Sequence, residues 1–335
     1  MQEDVSPELF LDAVLGFEKT AAIKAALALD LFSAIAATDG TPEAIGTRVE
    51  AATRGVRVLC DYLTVNGFLE KVGTRYRLTP STAMFLTKSS PAWLGSVVDF
   101  LAAPEMIALW LDDPVSYVRN GGSVGLANLA PDHPLWVTFA KAMVPFMAPV
   151  AGALALEVGS WQRPVRRVLD VAAGHGLFGI EIGKVAPAAA ITALDWAPVL
   201  EVAKANAAKA GLTDRYHVKP GSAFDVDWGS DFDLVLLTNF LHHFDREACI
   251  TLLAKARGSL HPQGRVVAVE FVPNEDRVSP SFPAVFAFQM LGSTPRGDAY
   301  TASELTEIGQ AACFGRVDVR SAPPTPQSFI TFERA

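Results

Sequence analysis

The 335-residue sequence has few cysteines and no long apolar run. Its three cysteines, Cys60, Cys249 and Cys313, are far apart and show no metal-ligand spacing. They predict reduced, buried thiols rather than disulfides or a metal centre. No apolar run reaches the roughly 18 residues that a membrane span needs, and residues 1–4 are acidic rather than the basic start of a signal peptide. We therefore expect a cytoplasmic protein with no membrane partner.

Basic charge is also scarce. The 28 Lys and Arg residues against 36 Asp and Glu residues give a net charge of −8. Nucleic-acid binders usually present a basic face, because neutralising phosphates dominates their affinity. The acidic run at residues 225–233 is no calcium loop, because Ser230 and Leu236 occupy the places where an EF-hand needs glycine and glutamate. We expect neither a nucleic acid nor a metal ion.

The first 90 residues show the pattern of a winged helix. Residues 21–35 are strongly helix-forming, and Thr41 followed by Pro42 is a typical helix start. A further helix at residues 54–66 precedes a strand, turn and strand at residues 68–78. This pattern leaves open a DNA-binding regulator, in which phosphate contacts would come from Arg54, Arg57, Lys71, Arg75 and Arg77.

The rest of the chain divides into two regions. Residues 91–160 are mostly helical and rich in large apolar side chains, which fit either a core or dimer seam or an acceptor pocket. From residue 166 onwards, strand and helix signals alternate. Such alternation is typical of an α/β, Rossmann-like domain with a mostly parallel sheet and helices on both faces.

The glycine turn at residues 174–179 follows a predicted strand that carries Asp170, and Asp195 closes the next strand. The spacing Gly-x-Gly-x-x-Gly fits a dinucleotide site, so an NAD(P)-dependent dehydrogenase stays possible. An acid before the turn would, however, repel a pyrophosphate at the following helix N-terminus. The same acid would attract the sulfonium and ammonium groups of S-adenosylmethionine, and Asp195 could accept the ribose hydroxyls.

Several segments carry a family resemblance: residues 168–179, 193–196, 221–224, 237–244 and 264–270. Through them the chain resembles the class I S-adenosylmethionine-dependent small-molecule O-methyltransferases. These include plant phenolic, acetylserotonin and bacterial natural-product enzymes with an N-terminal winged-helix dimerisation domain. The resemblance implies a dimerisation domain at residues 1–90, a helical linker at 91–160 that contributes to the substrate pocket, and a cofactor-binding domain at 161–335.

The resemblance also implies the cofactor residues. S-adenosylmethionine, with S-adenosylhomocysteine as product, should contact Asp170, Ala172, Gly174, Gly176, Asp195, Trp196, Ser222, Ala223, Phe224 and Asn239. Ser222 departs from the family, which has an aspartate there. Adenine recognition should therefore depend more on packing and backbone contacts.

For catalysis, the resemblance points to His242 as general base, with His243 beside it and Glu270 as a flanking carboxylate. An imidazole titrates near neutrality and suits that role. A second flanking glutamate of the family aligns with Ala299, which leaves open whether the methylated atom is oxygen, nitrogen, sulfur or carbon. Three further positions match the acceptor pocket: Phe139, Met143 and Met290. The implied partners are a small-molecule acceptor and a second copy of the chain.

Overall fold

A computed structural model shows two compact units, which adjoin in sequence between Ala103 and Pro104. The structure describes residues 5–335, apart from the side chains of residues 127 and 128. The acidic start at residues 1–4 lies outside this range.

The first unit consists of helices and one hairpin. Its elements are α1 (Glu8–Val14), α2 (Gly16–Ala28), α3 (Leu31–Ala36), α4 (Pro42–Arg48), α5 (Thr53–Val65), β1 (Leu69–Val72), β2 (Arg75–Leu78), α6 (Pro80–Leu86), a 3₁₀ turn (Gly95–Val97) and α7 (Val98–Leu101). The predicted order of two helices and a hairpin is present in α4, α5, β1 and β2. Thr41 caps α4 by accepting a hydrogen bond from the amide of Ala44 at 3.3 Å.

Residues 21–35 do not form the single helix that their composition suggests. The chain breaks between α2 and α3, where Asp30 adopts a left-handed backbone with φ of 53°. Aspartate tolerates that conformation better than most residues, and its carboxylate accepts a hydrogen bond from Ser33. The break turns Leu31 and Phe32 into the core of this unit.

The basic side chains considered for phosphate binding are largely paired with acids. Arg57 and Lys71 both contact Asp61, at 2.9 and 2.5 Å, and Arg75 contacts Asp39 at 2.8 Å. These pairs reduce the positive field that a DNA-binding face would need.

Apolar side chains of α1, by contrast, are exposed. Leu9 is 85% exposed and Phe10 68%, and no residue of this helix is buried. A soluble monomer rarely leaves so apolar a surface uncovered.

The second unit contains the α/β domain. Its elements are α8 (Pro104–Leu111), α9 (Pro114–Asn120), a 3₁₀ turn (Gly125–Asn128), α10 (Pro134–Ala142), α11 (Val144–Gly159), β3 (Arg167–Val171), α12 (Leu177–Val185), β4 (Ala190–Asp195), α13 (Ala197–Lys209), a 3₁₀ turn (Thr213–Arg215), β5 (Tyr216–Pro220), β6 (Phe232–Thr238), a 3₁₀ turn (Leu241–His243), α14 (Arg246–Ser259), β7 (Leu260–Glu270), α15 (Ser281–Ser293), α16 (Ala302–Ala311), β8 (Arg316–Ser321) and β9 (Ser328–Glu333).

The strands of this unit form one sheet in the order β5-β4-β3-β6-β7-β9-β8. Neighbours from β5 to β7 pair in parallel, whereas β9 runs antiparallel between β7 and β8. Helices cover both faces. On one face, Leu252 of α14 and Leu305 of α16 share a core with the sheet; on the other, α12 approaches so closely that a Cβ at Gly179 would lie 2.7 Å from Ile191. The predicted fold class is confirmed.

No single helix among the described residues is long and apolar enough to cross a membrane. Only α10 and α11 together reach that length and composition, and they are bent by 59°.

One sequence expectation is wrong: Cys60 and Cys249 are buried, but Cys313 is exposed. It lies just beyond α16 with φ of 65°, in the turn that leaves the helix.

Candidate active site

Polar side chains gather where the parallel strands end. Asp170 lies near the end of β3, Asp195 ends β4, Asn239 follows β6 and Glu270 ends β7. The carboxyl ends of parallel strands meet at one edge of the sheet, which is where α/β proteins bind ligands. The structure therefore brings these predicted residues to the same edge.

The glycine turn between β3 and α12 is shaped by left-handed residues. Gly174 and Gly176 have φ of 56° and 76°, and Ala172 has 53° despite its Cβ. A Cβ at Gly176 would lie 2.4 Å from the Tyr216 hydroxyl and 3.0 Å from Ala203. Glycine is thus required at residue 176 by both backbone and space.

Two carboxylates, the buried Asp170 and the half-buried Asp195, anchor the turn through its amides. Asp170 Oδ2 accepts a hydrogen bond from the amide of Gly179 at 3.1 Å, and Asp195 Oδ2 accepts one from Gly174 at 2.8 Å. Asp195 Oδ1 also accepts from the amide of Trp196 at 2.6 Å. Asp170 Oδ1 is buried with no hydrogen-bond partner among the described residues, so it remains available to accept from a cationic or N–H group.

Burial also changes the acidity of both groups. Desolvation raises the pKa of Asp170 to about 7, and the nearby charge of Asp195 adds to the rise. Desolvation likewise raises the pKa of Asp195 to about 6. Each carboxylate would regain its charge most readily beside a positive ligand.

Two residues that sequence reasoning missed complete this end of the site. Tyr216, at the start of β5, places its buried hydroxyl against Gly176, without a hydrogen-bond partner among the described residues. His175 is 6% exposed, and its Nδ1 accepts a hydrogen bond from the amide of Leu177 at 3.1 Å. Burial lowers the pKa of His175 to about 4, so its ring is neutral at pH 7.

The residues predicted to contact the adenine, Ser222 and Phe224, lie in the loop beside Asp195. The amide of Gly221 donates to the Asp195 carbonyl at 2.9 Å, which places Ser222 next to the acid. Ser222 Oγ accepts from the amide of Phe224 at 3.2 Å, and its hydroxyl proton stays available for donation. The exposed Phe224 ring meets Phe244 edge-on at 5.1 Å.

Neighbouring side chains hold this loop and the residue after β4. The Ala223 carbonyl accepts hydrogen bonds from Trp228 at 2.9 Å and from Lys255 at 2.8 Å. Trp196 packs against the cluster of Ala140 and Val199, which joins α10 to α13. The predicted cofactor residues therefore surround one edge of the sheet, from the glycine turn to the β5 loop.

His242 and Glu270 form a buried pair at the same edge. His242 Nδ1 lies 2.5 Å from Glu270 Oε2, and the two side chains are 7% and 5% exposed. Glu270 Oε1 accepts from the amides of Phe240 and Leu241, at 3.0 and 2.8 Å. The carboxylate thus fixes both the imidazole and the turn that carries it.

The second histidine lies beside the first. The ring centroids of His242 and His243 are 4.4 Å apart, tilted by 54°. Burial and the neighbouring His242 lower the pKa of His243 well below its ordinary value. Only His242 is bonded to Glu270, which distinguishes the two imidazoles structurally.

An apolar cluster adjoins His242. The Phe286 ring meets it edge-on at 4.8 Å and packs with Phe271, Met290 and Ala299. Ala299 occupies the position where the family resemblance leads one to expect a glutamate, so an apolar contact replaces the second carboxylate.

The other two predicted pocket residues lie at the end of α10. Phe139 is in its last turn, and Met143 links α10 to α11 and is buried. Of the three predicted pocket residues, Met290 is the one that the structure places in the cluster touching His242.

Comparison with known proteins identifies the family. A family model for the O-methyltransferase domain matches residues 131–315, and one for the O-methyltransferase dimerisation domain matches residues 11–88. The chain is 29% identical, over 98% of its length and 96% of the other protein's, to 3-hydroxy-5-methyl-1-naphthoate 3-O-methyltransferase of Streptomyces sahachiroi.

Solved structures of O-methyltransferases have the same fold as this chain. A candidate O-methyltransferase from Nostoc punctiforme superposes with a TM-score of 0.93 at 43% identity, covering 98% of this chain and 99% of that one. Human N-acetylserotonin methyltransferase in complex with S-adenosylmethionine gives 0.83 at 20% identity, with both chains covered completely. These matches do not fit the regulator and dehydrogenase alternatives. The chain therefore belongs to the O-methyltransferase family, whose methyl donor is S-adenosylmethionine.

Proposed function

We propose that this protein transfers the methyl group of S-adenosylmethionine to an aromatic hydroxyl, with His242 as general base. The observation that carries the proposal is the buried contact between His242 Nδ1 and Glu270 Oε2. When Nδ1 donates to a carboxylate, Nε2 is the ring's acceptor, which is the tautomer that a general base needs. Glu270 is then a positioning residue that also stabilises the protonated ring.

The residues at the glycine turn fit the cofactor. The unpartnered Oδ1 of Asp170 would accept from its α-ammonium group, and Asp195 would accept from its ribose hydroxyls. The backbone of Ala172, Gly174 and Gly176 would follow the methionine part. When bound, the cofactor supplies a methyl group that its sulfonium activates. The protein's contribution is to hold donor and acceptor in contact and to exclude water.

The remaining cofactor contacts are proposed on the same basis. Trp196 and Phe224 would pack on the adenine, whereas Ser222 and the backbone of Ala223 would reach its polar edge. Asn239 would contact the cofactor through its backbone, just after the end of β6.

An aromatic acceptor fits the surroundings of the base. The cluster of Phe271, Phe286 and Met290 offers flat, apolar surface beside His242, and Phe139 and Met143 are proposed to extend it. With Ala299 in place of a second acid, the base is assisted by one carboxylate. A phenol, whose pKa is near 10, is within reach of such a base, whereas an alkyl hydroxyl is far less acidic. The naphthoate relative acts on an acceptor of this class.

We further propose that the chain is a homodimer. Residues 1–90, which include the matched dimerisation domain, would form its interface, and the exposed Leu9 and Phe10 support this role. Residues 91–160 would contribute to the acceptor pocket, and residues 161–335 would bind the cofactor.

The proposal is tested by incubating the purified chain with S-adenosylmethionine and a panel of phenols and naphthols, and measuring O-methylated product by mass spectrometry. The matched variants are His242→Asn and His243→Asn. We expect the first to lower kcat by about 10²–10⁴-fold, the usual contribution of a general base, and the second to lower it by less than tenfold. If His243→Asn lowered kcat more than His242→Asn does, His243 would be the general base instead. If no hydroxyl of any compound were methylated, the proposed function would be refuted.

A further inference from the structure

Two side-chain carboxamides, the half-buried one of Asn239 and the buried one of Gln327, flank the end of β7, the strand that carries Glu270. Asn239 follows β6, and its backbone N–H donates to the Val269 carbonyl at 2.7 Å. Gln327 immediately precedes β9, where Ser328 pairs with Glu270. Both amides therefore lie at the sheet edge that holds the proposed base, although they are far apart in sequence.

Their hydrogen bonding is incomplete. Asn239 Nδ2 and Gln327 Nε2 both point to Met147 Sδ, at 3.5 and 3.7 Å. A thioether is a weak acceptor. The two carbonyl oxygens, Asn239 Oδ1 and Gln327 Oε1, are buried without a partner among the described residues. Gln327 is only 2% exposed, and buried polar groups are normally satisfied.

The amide orientations follow from the same contact. Turning either amide over would place a carbonyl oxygen against the electron-rich sulfur and lose the N–H···S contact. The two N–H groups thus converge on one point, and each is accompanied by an unsatisfied acceptor. A ligand group that both accepts and donates a hydrogen bond would satisfy this arrangement.

The charge of that ligand group is restricted. In the described part of the chain, no hydrogen bond or ion pair joins a lysine or arginine to Asn239 or Gln327. A carboxylate buried here would lack a counter-charge, which is unfavourable. A neutral hydroxyl meets both requirements, because its oxygen accepts from N–H while its proton goes to a carbonyl.

A chain of contacts links the amides to the base. Phe146 precedes Met147 on α11 and packs on the cluster of Phe271 and Phe286. Phe286 in turn touches the His242 ring at 4.8 Å. Met147 is unbranched and flexible, so its sulfur can withdraw when a better partner arrives.

We propose that Gln327 and Asn239 recognise a second, neutral hydroxyl on the aromatic acceptor, separate from the hydroxyl that is methylated. The inference rests on the proposed function and specifies its acceptor as a dihydroxy-aromatic compound. The acceptor's hydroxyl replaces the Met147 sulfur between the two amides. Gln327 is then a specificity-determining residue for this reaction.

The test is calorimetric binding to the S-adenosylhomocysteine-saturated protein, so it does not depend on turnover. The ligands are 2-naphthol, the dihydroxynaphthalenes that add one hydroxyl to it, and hydroxynaphthoates with a carboxylate at the same positions. We expect at least one dihydroxynaphthalene to bind ten or more times as tightly as 2-naphthol, with no such gain for the matching hydroxynaphthoate.

Two variants assign the preference to the amide. Gln327→Met keeps the side-chain length but removes both polar atoms, and should reduce the preference to less than threefold. Gln310→Met makes the same change at an exposed position of α16 and should leave it intact. Melting temperatures with S-adenosylhomocysteine confirm that both variants are folded.

The proposal is overturned if no dihydroxynaphthalene binds at least ten times as tightly as 2-naphthol, a comparison that needs only the wild-type protein. It is also overturned if the preference persists in Gln327→Met. Failure of the proposed function would show differently, as an absence of methyl transfer from S-adenosylmethionine to any of these ligands.

Discussion

Lowering the pH from 8 to 6 should weaken the binding of S-adenosylhomocysteine. Asp170 must be ionised to pair with the ligand's ammonium group and to accept hydrogen bonds from it. In the free protein the pKa of Asp170 is about 7. The ligand's positive charge lowers that pKa in the complex, so the free protein carries more protons than the complex. Binding therefore releases protons, and affinity rises with pH across this range.

The magnitude follows from the fraction ionised. With a pKa of about 7, Asp170 is about nine-tenths ionised at pH 8 and about one-tenth at pH 6, so its contribution is about tenfold in affinity, or about 1.4 kcal/mol. Asp195, with a pKa of about 6, is half protonated at pH 6 and adds about twofold. Most of the loss should thus be assignable to one residue.

The assay is calorimetric titration at pH 6, 7 and 8 in two buffers of different ionisation enthalpy, which counts the protons released. Asp170→Asn is the control, because it cannot ionise. The free ligand's α-amino group titrates identically in both experiments, so the difference between the two proteins reports the pairing of Asp170 with the ammonium group. If the wild type and Asp170→Asn show the same pH dependence between pH 6 and 8, or release the same number of protons at pH 7, then Asp170 does not bind the ammonium group.

Three further predictions follow from contacts in the two units. Glu270→Gln should lower kcat by about 10²–10⁴-fold with unchanged cofactor affinity, because the amide no longer fixes the His242 tautomer. Initial rates at saturating substrate concentrations measure kcat, and a loss below tenfold would contradict this role of Glu270. Gly176→Ala should reduce the free energy of unfolding by about 2–4 kcal/mol, since it adds a clash with Tyr216 to left-handed strain. Urea denaturation measures this against Gly211→Ala, where φ is +72° and nothing lies within 4 Å, so equal losses would exclude the clash. Phe10→Asp should convert the proposed dimer to a monomer in light scattering, because it places a charge in the proposed apolar interface, and an unchanged dimer mass would place the interface elsewhere.

Sequence reasoning reached the fold and the cofactor edge because their signals are local. Alternating strand and helix patterns indicate a parallel sheet, and each of Asp170, Gly174 and Asp195 is placed by its position at a strand end or turn. The structure puts these residues together as the strand order requires. Their roles toward the cofactor stay predictions.

What sequence reasoning missed depends on contacts between distant segments. Nothing local marks Gln327, which gains its meaning from β9 lying antiparallel beside β7. Tyr216 reaches the glycine turn because β5, the outermost strand of the sheet, pairs with β4. The break at Asp30 likewise follows from packing, because Leu31 and Phe32 need burial that a continuous helix would not give them.

Methyl transfer to an aromatic hydroxyl with His242 as base is tested by a single experiment with methyl-deuterated S-adenosylmethionine, a dihydroxynaphthalene acceptor, and the wild-type and His242→Asn proteins. Product mass and fragmentation show whether one deuterated methyl group is bound to oxygen. We expect a singly O-methylated product from the wild type, formed at least 100-fold more slowly by His242→Asn. A product methylated on carbon, or an undiminished rate in the variant, would contradict this mechanism.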